Sequence, residues 1–156
     1  YTKSLGGLIV KFWNVYGIEK DMDKAHVITD FIRKGFETGV IDMMTDGTEA
    51  REFLYAEDCC EALETVMDEY DNLSCDDELH ITTGVYTTVL EIAEEIKSLF
   101  FSIGKKITVI PDEKKDSVQR DARNVPDPYI KEFWQPTTSV KEGLKKVFEE
   151  MKKDYE

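Results

Sequence analysis

The chain has 156 residues, of which 41% are hydrophobic and 34% charged, a balance that excludes an intrinsically disordered protein. This is the length of one domain with a substantial apolar core. The formal net charge of -13 argues against nucleic acid and acidic membranes as partners, and no apolar run in the sequence has the length of a membrane span.

The first half of the chain predicts short strands around one amphipathic helix. The helix is expected over residues 25–36, where apolar side chains recur at helical spacing and glycines follow. A turn is expected at residues 14–17, directly behind the first strand. The predicted strands are residues 7–13, 41–45 and 51–55.

The second half predicts three amphipathic helices separated by short strands. Thr88 with Glu91, and Ser139 with Glu142, form capping boxes that predict the starts of two of these helices. A further helix starts at Asp58. Its predicted apolar face carries Cys59, Ala62, Leu63, Val66, Met67 and Tyr70. The predicted strands are residues 79–82 and 107–110. This alternation of strands and helices indicates an α/β or α+β domain.

The cysteines argue against a disulfide framework and against a zinc site. Cys59 and Cys60 are adjacent, and Cys75 makes the count odd. We therefore expect a cytoplasmic protein from a reducing compartment. The sequence begins at Tyr1 rather than Met, and we expect the translated protein to start further upstream.

Four motifs in order resemble the extended short-chain dehydrogenase/reductases, the NAD-dependent nucleotide-sugar epimerases and dehydratases. They are KFWNVYG at 11–17, DGTEAREFLYAED at 46–58, LHITTG at 79–84 and WQPTTSVKEGL at 134–144. Each motif is weak alone, but the four in this order and spacing are strong together, and the resemblance covers nearly the whole chain. The resemblance implies an α/β fold, the C-terminal substrate-binding lobe of an extended Rossmann-type enzyme. It assigns residues 1–24 to the last Rossmann sheet strand with its Asn-x-Tyr-Gly turn, and residues 25–156 to the lobe.

The resemblance also implies which parts the chain lacks. The family's N-terminal Rossmann half carries a glycine-rich turn for NAD, and no G-x-x-G-x-x-G pattern occurs here. The family's catalytic Tyr-x-x-x-Lys lies upstream of its Asn-x-Tyr-Gly turn, so no catalytic residue is expected in this chain. The implied cofactor is NAD, the implied ligand is a nucleotide-diphosphate sugar, and the intact protein is expected to be a homodimer.

Tyr16 and Lys20 match Tyr-x-x-x-Lys literally, but we interpret the match as accidental. The chemistry needs the two side chains one helical turn apart, so that the ammonium lowers the phenol pKa. Tyr16 instead precedes Gly17 in a predicted turn. The resemblance leaves Tyr16 as a cofactor-binding residue rather than a catalytic one.

Arg51 and Asn14 are the first candidates for substrate binding. Arg51 is the one Lys or Arg between Lys34 and Lys97, and its guanidinium suits a diphosphate. The alternative is an ion pair with one of the glutamates at positions 49, 52 and 57. Asn14 can donate to a phosphate or sugar oxygen and accept from a hydroxyl, or it can stabilise its own turn.

The resemblance adds five further substrate-binding residues, each with an ordinary alternative. His26 and Val27, near a helix start, are expected to face the nucleotide phosphates; His26 fits an exposed surface residue equally well. Met44 is expected at the nucleobase, although core packing of Met43 and Met44 is the commoner role. Lys115 and Arg120 stand where the family has Arg-x-Gly-Asp, and a solvated charge run explains them as well.

Two functions remain open from the sequence. The first is the nucleotide-sugar-binding portion of an NAD-dependent epimerase or dehydratase, which positions the substrate diphosphate for hydride transfer. The second is a standalone, non-catalytic nucleotide-binding or interaction module from a split or truncated gene.

Overall fold

The computed structural model describes residues 7–73, 78–117 and 125–156. Seven short strands and four helices of at least eleven residues make up its regular structure in these ranges. The strands are β1 (Val10–Phe12), β2 (Asn14–Tyr16), β3 (Val40–Asp42), β4 (Ala50–Tyr55), β5 (Leu79–Ile81), β6 (Tyr86–Thr88) and β7 (Thr108–Ile110). The helices are α1 (Val27–Glu37), α2 (Ala56–Asp68), α3 (Val89–Ser102) and α4 (Val140–Lys152). This mixed arrangement confirms the predicted α/β class.

The strands form three small sheets, and the chain changes sheet between Phe12 and Asn14. β1 pairs in parallel with β5, and β2 pairs in parallel with β4. β4 also pairs antiparallel with β6, and β3 pairs in parallel with β7. The turn predicted at residues 14–17 is therefore wrong for its first three residues, which form β2. Because the partners of β1 and β2 lie far away in sequence, the apolar run at 7–13 could not reveal that the chain changes sheet here.

The helix starts follow local side-chain chemistry. Both capping boxes are confirmed: the Thr88 hydroxyl accepts from Glu91 N, and the Ser139 hydroxyl accepts from Glu142 N. α2 begins at Ala56, directly after β4, rather than at the predicted Asp58. The Asp58 carboxylate is buried and accepts hydrogen bonds from Thr137 and Thr138, which fastens α2 to the segment before α4.

Two apolar clusters hold these elements together. The larger cluster packs α1, α3 and α4 on β2 and β4, with Phe36, Phe100 and Phe148 in mutual ring contact. The smaller cluster packs α2 against β1 and β5. The predicted inward face of α2 is wrong at Met67, which is 75% exposed, and at Tyr70, which is 46% exposed and lies beyond the end of α2 at Asp68.

The pairing of β1 with β5 joins the two predicted regions, since β5 belongs to the range assigned to the lobe. The proposed boundary after residue 24 stays a prediction. No helix in the described ranges is both long enough and apolar enough to cross a membrane.

Candidate functional site

Arg51 lies where two clefts meet. The larger cleft has a volume of about 730 Å³ and the smaller cleft about 330 Å³. Arg51 and Val27 line both. The smaller cleft is also lined by Asn14, Tyr16 and His26, and the larger by Met44 and Lys115. Six of the seven predicted substrate-binding residues, Arg51 included, thus line these two clefts; Arg120 lies outside the described residues.

The Arg51 side chain is held at the cleft junction by Asp116. Arg51 Nη2 donates to Asp116 Oδ2 at 2.6 Å, and the two side chains are 33% and 11% exposed. The alternative interpretation expected Glu49, Glu52 or Glu57 as the partner; the ion pair forms with Asp116 instead. Arg51 Nε is buried and has no hydrogen-bond partner within the described ranges. Because Nε is enclosed by protein, an anionic ligand would have to be bound through the Nη atoms, which carry four of the five N–H donors of a guanidinium.

Backbone hydrogen bonds bring the segment of Lys115 and Asp116 to Arg51. Met43 N donates to Ile110 O at 2.9 Å, and Asp112 N donates to Thr45 O at 3.0 Å. Asp46 N then donates to Lys114 O at 2.7 Å. These bonds extend the pairing of β3 with β7 beyond the strands. Because of them, Lys115 lies on the same cleft wall as Arg51.

Asn14 has a structural partner as well as a cleft position. Its Nδ2 donates to the carbonyl oxygen of Glu52 at 3.0 Å, which ties β2 to β4. This bond uses the amide nitrogen, and among the described residues no hydrogen bond to the Asn14 side-chain oxygen is found. Ligand contact by Asn14 stays a prediction, with its oxygen as the atom suited to accept from a hydroxyl.

Tyr16 is buried, and its hydroxyl is directed at α4. Tyr16 Oη donates to Val140 O at 3.4 Å, and the ring packs on Phe53 and Tyr55. Burial, reinforced by the charge of Asp58, raises the phenol pKa well above its ordinary value. A catalytic phenol needs the opposite shift, and residues 17–20 form no helix that could present Lys20 to it. Tyr16 and Lys20 therefore do not share a helical turn, and cofactor contact by Tyr16 stays a prediction.

The first turn of α1 already holds a carboxylate. His26 N donates to Glu19 Oε2 at 2.9 Å, and His26 Nδ1 hydrogen-bonds the other oxygen of that carboxylate. Burial opposes ionisation of Glu19, but hydrogen bonds from His26 and Thr29 outweigh it and lower the Glu19 pKa. The Glu19 carboxylate therefore offsets part of the positive charge at the start of α1, which weakens the attraction of that helix start for an anionic ligand near Val27. The sequence interpretation of His26 did not include Glu19.

The two methionines differ sharply in exposure. Met43 is 6% exposed and belongs to the core, whereas Met44 is 86% exposed. Both follow the end of β3 and both line the larger cleft. Met44 is thus free of core packing, and its contact with a nucleobase stays a prediction.

Sequence reasoning missed Glu49, a buried carboxylate in the wall of the larger cleft. Glu49 is two residues before Arg51, and side chains two apart in an extended chain face the same side. That alternation was the available signal. Asp116 was missed as well, because its pairing with Arg51 spans a large sequence separation with no local pattern.

The residues present do not fit the pyrophosphate of NAD. The sequence holds no G-x-x-G-x-x-G pattern. In the described ranges, the strand-to-helix junctions from β4 to α2 and from β6 to α3 have no intervening residue, glycine or otherwise. A pyrophosphate cradle needs a glycine-rich turn at a helix start.

Comparison with known proteins shows which protein family this chain matches. Residues 2–81 match the model of the NAD dependent epimerase/dehydratase family. The chain is 28% identical to GDP-L-fucose synthase of Sinorhizobium fredii over 159 residues, covering 96% of this chain and 48% of that protein. It is 32% identical to UDP-N-acetyl-alpha-D-glucosaminuronate decarboxylase of Bacillus cytotoxicus, over 90% and 44% of the two chains.

The fold is similar to that of a solved structure, UDP-glucose 4-epimerase with UDP-glucose from Thermotoga maritima. The TM-score is 0.79 at 25% identity, over 99% of this chain and 49% of that one. The chain thus spans about half the length of the relatives it matches. Sequence motifs, fold and family match agree: the chain belongs to the NAD-dependent epimerase/dehydratase family, whose extended short-chain dehydrogenase/reductase members act on nucleotide-sugars.

Proposed function

We propose that this chain is the nucleotide-sugar-binding portion of an NAD-dependent epimerase or dehydratase. The observation that carries the proposal is the position of Arg51 at the junction of the two clefts. A nucleotide-sugar has a diphosphate between its two bulky ends. Arg51 binds that diphosphate, the nucleoside occupies the larger cleft, and the sugar occupies the smaller one.

The lining of each cleft matches the end assigned to it. The larger cleft has apolar walls from Val27, Phe31, Met43 and Val89, which suit the faces of a base. The smaller cleft presents Asn14 among its polar groups, which suit sugar hydroxyls.

Electrostatics favour Arg51 as the anchor. The chain carries a net charge of -13, so an anionic ligand is repelled by most of its surface. The larger cleft nevertheless has cations in its lining, namely Lys34, Arg51, Lys114 and Lys115, beside the carboxylates of Asp30, Asp42, Glu49 and Asp116. A planar guanidinium binds two phosphate oxygens at once, which gives both affinity and orientation.

The role assigned to the chain is positioning. Holding the diphosphate fixes where the sugar lies, and orientation of a bound reactant contributes a large part of enzymatic rate enhancement. We assign the redox step itself to protein residues other than those of this chain. The names of the two relatives include both a GDP-sugar and a UDP-sugar, so the family match leaves the base open.

Calorimetric titration of UDP-, GDP-, CDP- and dTDP-sugars into the chain tests the proposal. We expect at least one to bind, and Arg51→Ala to weaken it about tenfold or more, because a charge-assisted pair is lost. Lys97→Ala is the matched control, since Lys97 is an exposed cation on α3 paired with Glu94. Binding that is equal in wild type and Arg51→Ala contradicts the proposal. Absence of binding by all four favours the alternative of an interaction module.

A further inference from the structure

The imidazole ring of His80, on β5, holds the start of the segment that leads to Ile130. Asp127 N donates to His80 Nδ1 at 2.9 Å. Leu79 and Ile81, the neighbours of His80 on β5, are buried in the smaller apolar cluster. Strand alternation therefore directs His80 to the opposite face of the sheet, where its side chain is 18% exposed. Residues 125–128 are thus attached to β5 through a titratable ring.

The hydrogen bond from Asp127 defines the protonation state of His80. A backbone N–H can only donate, so Nδ1 must offer its lone pair, and the one ring proton of the neutral imidazole is on Nε2. Nε2 lies 3.5 Å from Glu78 Oε2, which suits this tautomer. Protonation places a second N–H on Nδ1, directly opposite the N–H of Asp127. The hydrogen bond therefore exists only with the neutral ring.

The charged side chains around the ring compensate little for the loss of this bond. Glu78, just before β5, pairs with His80 Nε2 and also with Lys11 Nζ of β1, at 3.4 Å. Its side chain is 43% exposed, and ion pairs at such positions contribute little. The carboxylate of Asp127 is already engaged, since its Oδ1 accepts from Tyr129 N at 2.9 Å. Protonation of His80 thus breaks one hydrogen bond and strengthens only a shared, exposed ion pair.

We propose that His80 makes the attachment of residues 125–128 to β5 dependent on pH, with the segment attached when the imidazole is neutral and released when it is protonated. This inference is independent of the proposed function. An unperturbed imidazole gains its proton as the pH falls through about 6.5. Because the ring takes up this proton only in the released state, the attachment is present above that pH and is lost below it.

The release is confined to the start of the segment. Ile130 is fully buried and Trp134 is 8% exposed, and both belong to the smaller apolar cluster. Lys131 Nζ donates to Thr83 O at 3.1 Å. None of these contacts involves an imidazole, so they hold residues 129–134 in place at either pH. The amide of Trp134, which donates to Ile130 O at 2.9 Å, is therefore an internal reference.

The attachment adjoins the candidate site through Trp13. The rings of His80 and Trp13 meet nearly at right angles, with their centroids 6.1 Å apart. Trp13 lines the smaller cleft. A change in the charge of His80 therefore acts next to one wall of that cleft.

Nuclear magnetic resonance of the full chain tests the inference. At about pH 7.5, long-range proton–nitrogen spectra should place the His80 ring proton on Nε2. At about pH 5.5, the protection of the Asp127 amide against hydrogen exchange should be about tenfold lower, because about one ring in ten is still neutral one pH unit below 6.5. The protection of the Trp134 amide should not change.

Two asparagine variants locate the effect. In His80→Asn, the side-chain oxygen lies close to the position of Nδ1 and can accept from Asp127 N, but it does not titrate. We therefore expect the Asp127 amide to be protected equally at both pH values. His26→Asn, the same substitution at the chain's other histidine, should behave like wild type.

The wild-type measurements already decide the inference. A proton on Nδ1 at about pH 7.5 overturns it, and so does equal protection of the Asp127 amide at both pH values. A parallel loss at Trp134 contradicts it as well, because the whole segment would then unfold. If His80→Asn shows the same loss as wild type, another group titrates. A poorly folded His80→Asn does not block the test, since the tautomer and the wild-type protection need no variant.

Discussion

Asp116 competes with the diphosphate for the guanidinium of Arg51, which gives Asp116→Asn a predictable effect. Asp116 Oδ2 lies 2.6 Å from Arg51 Nη2. In the variant, the amide oxygen can still accept this bond and keep Arg51 in place. The negative charge that repels a phosphate at the same site is gone.

The expected gain is about 1 kcal/mol. Two unit charges about 5 Å apart repel by about 3 kcal/mol at an effective dielectric constant near 20. Arg51 is 33% exposed, so solvent and salt reduce this figure to the upper range for surface ion pairs, about 1 kcal/mol. Nucleoside diphosphates should therefore bind Asp116→Asn about fivefold more tightly.

Calorimetry with GDP and UDP on wild type, Asp116→Asn and Glu113→Gln measures this effect. The control matters because any lost acidic charge reduces the general repulsion of anions. We expect the gain only in Asp116→Asn, with the gain shrinking at high salt. Weaker binding by Asp116→Asn would refute the reasoning, since it would mean that Asp116 orients Arg51 more than it competes. An equal gain in Glu113→Gln would assign the effect to net charge.

Three further predictions concern the scaffold. Tyr16→Phe should lower the free energy of unfolding by less than about 1 kcal/mol and leave nucleotide binding unchanged, because its bond to Val140 O is long at 3.4 Å; lost binding in calorimetry would place the hydroxyl at the ligand. Gly143→Ala should cost about 1–3 kcal/mol in urea unfolding, because the new Cβ would overlap Tyr16 Oη, and it should cost less in a Tyr16→Phe background; equal costs in both backgrounds would contradict this contact. Hydrogen bonds from the backbone and side chain of Thr88 lower the Glu91 pKa from its ordinary value of 4.5. The ionised carboxylate therefore stabilises the folded state above about pH 4.5, and this stabilisation is lost as the pH falls through the pKa of the folded state. Glu91→Gln should thus show a shallower loss of stability below about pH 4.5 than wild type, measured by thermal unfolding across pH, and identical slopes would refute the cap assignment.

Local chemistry was predictable from the sequence, and long-range pairing was not. The capping boxes at Thr88 and Ser139 were predicted correctly because each involves residues only three apart. β6 was missed, since its three residues, Tyr-Thr-Thr, carry no alternation of apolar and polar side chains. Its strand identity comes from pairing with β4, whose partner residues lie far away in the sequence.

The residues of the candidate site show the same difference between local motifs and long-range contacts. Arg51 and Asn14 were found because their motifs resemble a known family, and the structure brings both to one cleft system. Asp116 and Glu19 were not found, although they are the partners of Arg51 and His26. Both pairs depend on tertiary contacts that no periodicity encodes. Glu49 was within reach, because it stands only two residues before Arg51, and both residues line the larger cleft.

The central claim is that Arg51 anchors a diphosphate between the two clefts. Its most direct test compares nucleoside, nucleoside monophosphate and nucleoside diphosphate, each titrated into wild type and Arg51→Ala. The account predicts that affinity in wild type rises with each phosphate and that this rise disappears in Arg51→Ala, while the nucleoside binds both proteins equally. A diphosphate advantage that survives in Arg51→Ala would contradict the account.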